Sequence, residues 1–372
     1  MRSNRRLSET VQLALLVVVT SSTIGWGAAA SQPRNTFIYV LTGLTEASYI
    51  SQFQVASNGT LRPLNPPAVS AGNYTVSIAV SPDGNYLFAL DNPGEPIPGT
   101  FLRFSINSDG TLASNPVTST GPTGSAYPFT LTPDGKFALV PVGNTVMSYS
   151  IDASGEFTLV STITAGRNAC TVAIDPTGQF AYVGNFQDHT ISEYRIAPDG
   201  ELTSNGSVSV APNEIYLFTF SPEGFLYSAG CCQLTGLVKY SINPSLGTIF
   251  GGTPYRIGHL PYSFAFNPGG TYAYTVNADS SISISSLRVN RATGSLAKNA
   301  PDIPITGRGA GQIAVDSSGR FLFLAQPTLQ AGVKGTIWLF RINGSGQLAP
   351  NGTIPLDVAD EETSGFIAFS TR

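Results

Sequence analysis

Short apolar runs alternate with tight polar turns along nearly the whole chain. Ile78-Ala-Val80 precedes Ser81-Pro82-Asp83-Gly84, and Tyr86-Leu-Phe-Ala-Leu90 follows it; Phe264-Ala-Phe266 and Tyr272-Ala-Tyr-Thr-Val276 flank Asn267-Pro268-Gly269-Gly270 in the same way. Runs this short, rich in aromatic and β-branched residues and bounded by Gly and Pro, predict strands. The turn recurs at Thr132-Pro133-Asp134-Gly135, Asp175-Pro176-Thr177-Gly178, Ser221-Pro222-Glu223-Gly224 and Asp316-Ser317-Ser318-Gly319. Pro presets φ for the first central position, the short polar side chain bonds its own backbone, and Gly takes the positive φ that other residues resist.

A second family of turns alternates with the first and ends on Gly59, Gly110, Gly155, Gly200, Gly247, Gly294 and Gly346. The spacing stays between 45 and 52 residues, and self-similarity at that period marks a repeat architecture. Each interval between alternating turns has room for two strands, so one unit carries four. That suits a propeller blade and is too long for a coil of a β-helix.

The expected fold is therefore all-β: one domain, a seven-bladed β-propeller with four antiparallel strands per blade. Phe37-Ile-Tyr-Val-Leu41 near the start and Gly365-Phe-Ile-Ala-Phe-Ser370 at the end each supply part of a unit, so the N- and C-terminal segments are expected to share blade 1 and close the ring. The predicted blades are 354–372 plus 35–68, then 69–116, 117–162, 163–207, 208–254, 255–301 and 302–353.

With 372 residues, 42% of them hydrophobic, the chain is long enough to bury a large core. Residues 1–30 read as a secretory signal: Arg2, Arg5 and Arg6, an apolar run Val11–Val19 too short to span a bilayer, and the small-residue end Ala28-Ala29-Ala30. A periplasmic or secreted protein is expected, with no membrane insertion once the signal is removed. Removing three of 19 basic and one of 23 acidic residues leaves 16 and 22, a balance of −6. Nucleic acid is not an expected partner, because no basic cluster remains to neutralise phosphates.

In a propeller both turn families fall on one face, so ligands meet the loops of the other. The links entering the innermost strands align Asn73, Gly124, Arg167, Asn213, His259, Arg308 and Glu362. Arg167, His259, Arg308 and Glu362 are candidate ligand-binding residues, since a guanidinium offers a planar fork to a carboxylate. Pairing with neighbours, Arg308 with Glu362 for instance, is the alternative use. Three residues further in are Val76, Tyr127, Cys170, Tyr216, Tyr262, Gly311 and Gly365. Tyr127, Tyr216 and Tyr262 offer apolar faces with hydroxyl handles, for a sugar-like ring or simply as a channel plug.

The two histidines, His189 and His259, limit the chemistry. No elbow for a serine nucleophile accompanies them, and they supply no zinc ligand set. Asp188-His189 reads as a solvated loop pair. If there is catalysis, His259 and Glu362 are the candidates for it. No fingerprint for a nucleotide, haem or quinone cofactor is visible, and no metal site is expected. Cys170, Cys231 and Cys232 leave three possibilities open: a link from Cys170 to the vicinal pair, a vicinal disulfide, or three free thiols.

The seven units, the Ser-Pro-Asp-Gly turn and the segments Ala181-Tyr-Val-Gly-Asn185 and Ala273-Tyr-Thr-Val-Asn277 resemble the seven-bladed lactonase propellers, which include the propeller-type 6-phosphogluconolactonases and the carboxymuconate cyclases. The resemblance spans about 340 residues. It implies His, Arg and Glu side chains at the pore and a lactone-ring hydrolase or cycloisomerase. In this chain the family's Arg-His pair falls on Cys170-Thr171 and its Asn-Glu on Asn185-Phe186. The reading is thus an exported, monomeric propeller that binds a small anionic or sugar-like ligand, or a protein, at the mouth of its channel, with lactone hydrolysis as the alternative.

Overall fold

The structure is a computed structural model that describes residues 35–43, 47–209, 215, 217–229, 236–257, 260–278, 281–307, 309–326, 335–356 and 366–371. The predicted signal segment lies outside these residues. Every regular element among them is a strand, and the strands form seven antiparallel sheets. Six sheets have four strands; the sixth blade has five, because its outer strand is split into Ser295–Lys298 and Ile303–Pro304, both paired to Ile282–Asn290.

The innermost strands run Phe366–Thr371, Thr75–Val80, Thr130–Leu131, Ala169–Ile174, Leu217–Phe220, Pro261–Phe266 and Gln312–Val315 in blade order. Phe366–Thr371 pairs antiparallel with Thr36–Thr42, placing Thr371 opposite Thr36. Each outer strand runs past its predicted blade end, by one to four residues in six blades and by seven in the second. Val117–Thr123 pairs with Pro98–Ser105 and is the outer strand of the second blade, so residues 117–123 do not begin the third. Six residues, 111–116, separate Gly110 from its outer strand, where a single residue does so after Gly155, Gly200 and Gly247, and this longer link carries the strand past the predicted blade end.

The core is not a single mass. It divides into seven buried clusters, one at each interface between neighbouring sheets. Phe37 and Tyr39 of blade 1 pack with Ile78 and Val80 of blade 2, while Ile38 and Val40 on the opposite side of the same strand pack with Phe321 and Phe323 of blade 7. Strand alternation thus sends successive residues to opposite neighbours. Full burial of an aromatic side chain of this kind stabilises by roughly 1.5–3 kcal/mol.

The repeated glycines sit at these interfaces. A Cβ on Gly110 would stand 2.2 Å from the Phe37 ring, one on Gly200 2.3 Å from Phe137, one on Gly247 2.1 Å from Phe180, and one on Gly346 2.1 Å from Tyr272. In each case the ring belongs to the second strand of the preceding blade. Two residues along that strand a tyrosine hydroxyl donates to the glycine carbonyl: Tyr39 to Gly110 at 2.7 Å, Tyr182 to Gly247 at 2.9 Å, Tyr274 to Gly346 at 3.1 Å. In blade 3 that position is Leu139, and the Ser148 hydroxyl on the adjacent strand donates to Gly200 instead, at 2.7 Å.

Candidate functional site

Because first and third hairpin turns share one face, the opposite face carries the loops between second and third strands and the links that lead from each outer strand to the next innermost strand. Blade 4 shows how those links are held. Its second strand ends on Asn185, which is fully buried. Its Oδ1 accepts from the Gly166 N–H at 3.0 Å, and its Nδ2 donates to Thr190 Oγ1 at 2.9 Å and Ser192 Oγ at 2.8 Å. Asp91 does the same in blade 2, accepting from the Asn73 and Tyr74 N–H groups at 3.2 and 2.5 Å. Gln326 reaches Gly309 O in blade 7 at 3.2 Å while accepting from Trp338 Nε1 at 2.7 Å.

Arg167 projects from the link that Asn185 anchors. Asp188 across the loop takes the Arg167 Nε at 2.6 Å and its backbone N–H at 2.7 Å. The two Arg167 donors hold the Asp188 carboxyl below the usual carboxylate range, with the charges of Arg167 and His189 adding to them. The guanidinium remains two-thirds exposed. Its neighbour Asn168, held at φ 55°, receives the Tyr127 hydroxyl on Oδ1 at 2.8 Å and donates its own N–H to Asn144 at 3.0 Å. Burial raises the Tyr127 hydroxyl above its ordinary range, the nearby Cys170 adds to this, and the Asn168 bond opposes it.

The structure therefore brings Arg167, Asn168, Tyr127 and Asp188 together between blades 3 and 4. Tyr262 is half-buried on blade 6, round the ring from this cluster, and burial raises its hydroxyl above the ordinary range. His259, Arg308, Glu362 and Tyr216 lie outside the described residues. The pairing of Arg167 with Asp188 was missed in the sequence, where the two lie 21 residues apart on different loops. The clamps Asp91, Asn185 and Gln326 were missed too, although each is a polar residue ending an otherwise apolar second strand, at Leu90-Asp91, Gly184-Asn185 and Ala325-Gln326.

The positions that the family resemblance pointed to are interior. Cys170, a candidate for a link to the vicinal pair, is a free thiol, 1% exposed; its Sγ donates to Ile215 O at 3.2 Å and lies 3.6 Å from Gly184 O. Burial pushes it up to about 12, so at neutral pH it is neither a base nor a thiolate nucleophile. Cys231 and Cys232 lie outside the described residues. Thr171 is likewise buried, its Oγ1 without a partner. Asn185 is committed to the link and to two hydroxyls. His189, at φ 52°, has its Nδ1 buried without a partner among the described residues. Among the described residues no group of three or more His, Cys, Asp or Glu side chains is placed to hold a metal ion.

A family model described as "Lactonase, 7-bladed beta-propeller" matches residues 102–214, the stretch that contains this cluster. The chain resembles the lactonase propellers. The 6-phosphogluconolactonase of Pectobacterium carotovorum subsp. carotovorum (strain PC1) is 26% identical over 242 residues, covering 50% of this chain and 72% of that one. That of Yersinia pestis (strain Pestoides F) is 32% identical over 89 residues, 24% of this chain and 27% of its own. Among solved structures, a putative 6-phosphogluconolactonase from Bacteroides fragilis superposes with a TM-score of 0.70 at 16% identity, covering 93% of this chain and 100% of that one. A periplasmic gluconolactonase from Pseudomonas aeruginosa gives 0.71 at 16% identity over 90% and 99%. At those identities the structural likeness speaks for the fold. The lactonase-like propeller has Cys170-Thr171 and Phe186 where the resemblance would place an Arg-His pair and a Glu.

Proposed function

We propose that this lactonase-like propeller is an exported protein that binds a small sugar acid or related anionic sugar at the mouth between its link loops. The observation that supports this best is the state of Arg167. Asp188 fixes the backbone and Nε of the arginine, which leaves both terminal nitrogens without a partner among the described residues and directs the guanidinium from a rigid base. A planar donor fork held this way suits a carboxylate, and a preorganised charged pair costs little further ordering on binding. Tyr127, tied to Asn168, supplies a ring and hydroxyl beside it. Arg308, His259 and Glu362, at equivalent positions of blades 7, 6 and 1, would complete the mouth. The leader at residues 1–30 supports export, as does the likeness to a neighbour named as periplasmic.

Titration calorimetry with gluconate, galacturonate and neutral glucose tests the reading. Tighter binding of the acids than of glucose is expected, with Arg167→Ala removing that preference by weakening acid binding about 10- to 100-fold, the worth of one charge-assisted bidentate contact. Unchanged affinity in Arg167→Ala would show that the acid is held elsewhere or not at all.

A second reading, opening of a lactone ring, is favoured by the match to relatives named 6-phosphogluconolactonase. It needs a base to activate water and a cation near the developing charge, roles that His259, Glu362 and Arg308 would have to fill. Turnover of glucono-lactone above the spontaneous rate, abolished in both His259→Ala and Glu362→Ala, would establish it in place of binding alone.

A further inference from the structure

A groove of about 570 Å³ opens between blades 3 and 4 on the rim of the mouth face. It is bounded by the link Thr164–Gly166, by Asp188, Thr190, Ser192 and Tyr194 of the third strand of blade 4, and by Ser204, Gly206 and Ser207 of its outer strand. The volume is in the range of small-ligand sites. What sets it apart is its lining, in which hydroxyls outnumber every other functional group.

The direction in which these hydroxyls donate can be worked out from below. Asn185 gives both protons of its amide to Thr190 and Ser192, so each of those oxygens is an acceptor there and must donate its own proton elsewhere. Tyr194 donates to Thr164 O at 2.7 Å, and Ser192 is placed to donate onto the Tyr194 oxygen. That leaves the Thr190 hydroxyl, which lines the groove, with its own proton able to donate into it. Above this floor, Ser204 and Ser207 stand exposed on the outer strand and can rotate to donate or accept.

Blade 6 carries the same frame and fills it from its own chain. Asn277, one residue before the end of its second strand, donates to Ser283 at 3.1 Å and Ser285 at 2.9 Å, the counterparts of Thr190 and Ser192 by strand pairing. There Ser285 donates to Asp302 Oδ1 at 2.5 Å, and Asp302 comes from the break in the split outer strand. In blade 4 the outer strand is continuous from Leu202 to Ser209 and places Ser204, Gly206 and Ser207 over the same spot, so among the described residues no side chain of comparable reach covers it.

We infer that the blade 3–blade 4 groove is a binding site for a neutral polyhydroxylated ligand, of mono- or disaccharide size, distinct from the arginine at the mouth. Paired donors and acceptors on small side chains match vicinal hydroxyls, which present both functions at similar spacing. Asp188, on the rim, is paired with Arg167 at 2.6 Å, so the charge beside the groove is already balanced. No charged donor lines it.

The test uses the full mature chain and three probes, glucose, cellobiose and myo-inositol, followed by saturation-transfer NMR and by calorimetry. At least one probe is expected to bind, with Thr190→Val, which keeps the shape and removes the outward donor, weakening it at least 5-fold. Ser207→Trp, a substitution at an exposed strand position, is expected to abolish binding by filling the groove. Thermal unfolding of each variant confirms that the fold is retained. Failure of all three probes to bind would overturn the inference, as would binding that survives Ser207→Trp. Loss of binding in Arg167→Ala with none in Thr190→Val would assign the saccharide to the mouth and equally overturn it.

Discussion

At the scale of single residues, this ring contains ionisable groups whose surroundings oppose their charge. Glu193 is almost fully buried and accepts the Ile249 N–H of the next blade at 2.8 Å. Gln52 has the same role in blade 1, accepting from Leu112 N–H at 2.6 Å, so a neutral amide already serves at an equivalent place. Burial holds the Glu193 carboxyl above its ordinary range, with the Ile249 bond opposing. A raised folded value means that the native state keeps the proton more readily than the unfolded chain does. Its contribution is then fully present below the ordinary carboxylate range and is lost as pH rises through the folded value. Glu193→Gln is therefore expected to match wild type near pH 4 and to be more stable than it at pH 7. Chemical denaturation at both pH values checks this, and a difference that stays constant with pH would count against it. Cys170 gives a simpler expectation. With its thiol buried and pushed up to about 12, iodoacetamide at pH 8 should leave it unmodified in native protein and label it after unfolding.

At the scale of elements, what matters is how one strand end governs the loop beside it. Asn185 spends three side-chain hydrogen bonds on connecting the link at Gly166 to the third strand, and it is the platform beneath both Arg167 and the hydroxyl groove. Asn185→Ala would leave the Gly166 N–H without its acceptor and open a small void, at a cost of about 2–3 kcal/mol. Urea denaturation should register that loss, and the weakening of acid binding at Arg167 should accompany it. Stability lost without any change at the mouth would mean that the link holds its shape without the clamp. Little of this could be read from the sequence. A turn glycine announces itself locally, through the residues on either side of it, so the strands and their pairing order were legible. Asn185 was legible only as part of the blade segment Ala181–Asn185 that marks the family, because its partners at Gly166 and Ser192 are known only once three strands are placed. Likewise Arg167 was visible as a mouth residue, but its partner on the far loop was not, since no periodicity ties residues 167 and 188.

At the scale of the whole molecule, the same contact repeated around the ring determines whether the ring behaves as closed. The glycine of each second turn family packs on a side chain of the preceding blade, and at the seam between blades 7 and 1 that pair is Gly59 on Phe321, where a Cβ would stand 2.3 Å from the ring at a backbone φ of 82°. Elsewhere in the ring Gly247 packs on Phe180 with a corresponding 2.1 Å at φ 69°. Backbone strain and overpacking add at both places, so Gly59→Ala and Gly247→Ala are each expected to destabilise by about 2–4 kcal/mol. If the seam is an interface like the other six, the two losses should agree within about 1 kcal/mol and unfolding should remain a single transition. Phe321→Leu should relieve part of the seam defect and leave the Gly247→Ala defect untouched, giving a coupling of about 1 kcal/mol or more only in the matched pair. Hydrogen exchange supplies the opposing outcome. Were the seam a weak point, Gly59→Ala would cost little, and the amides of Ile38 and Val40, which face blade 7, would exchange by local opening well before those of Phe180 and Tyr182. Matched costs and matched exchange would instead show that seven interfaces carry the ring equally, and that the mouth between blades 3 and 4 rests on a frame with no preferred place to open.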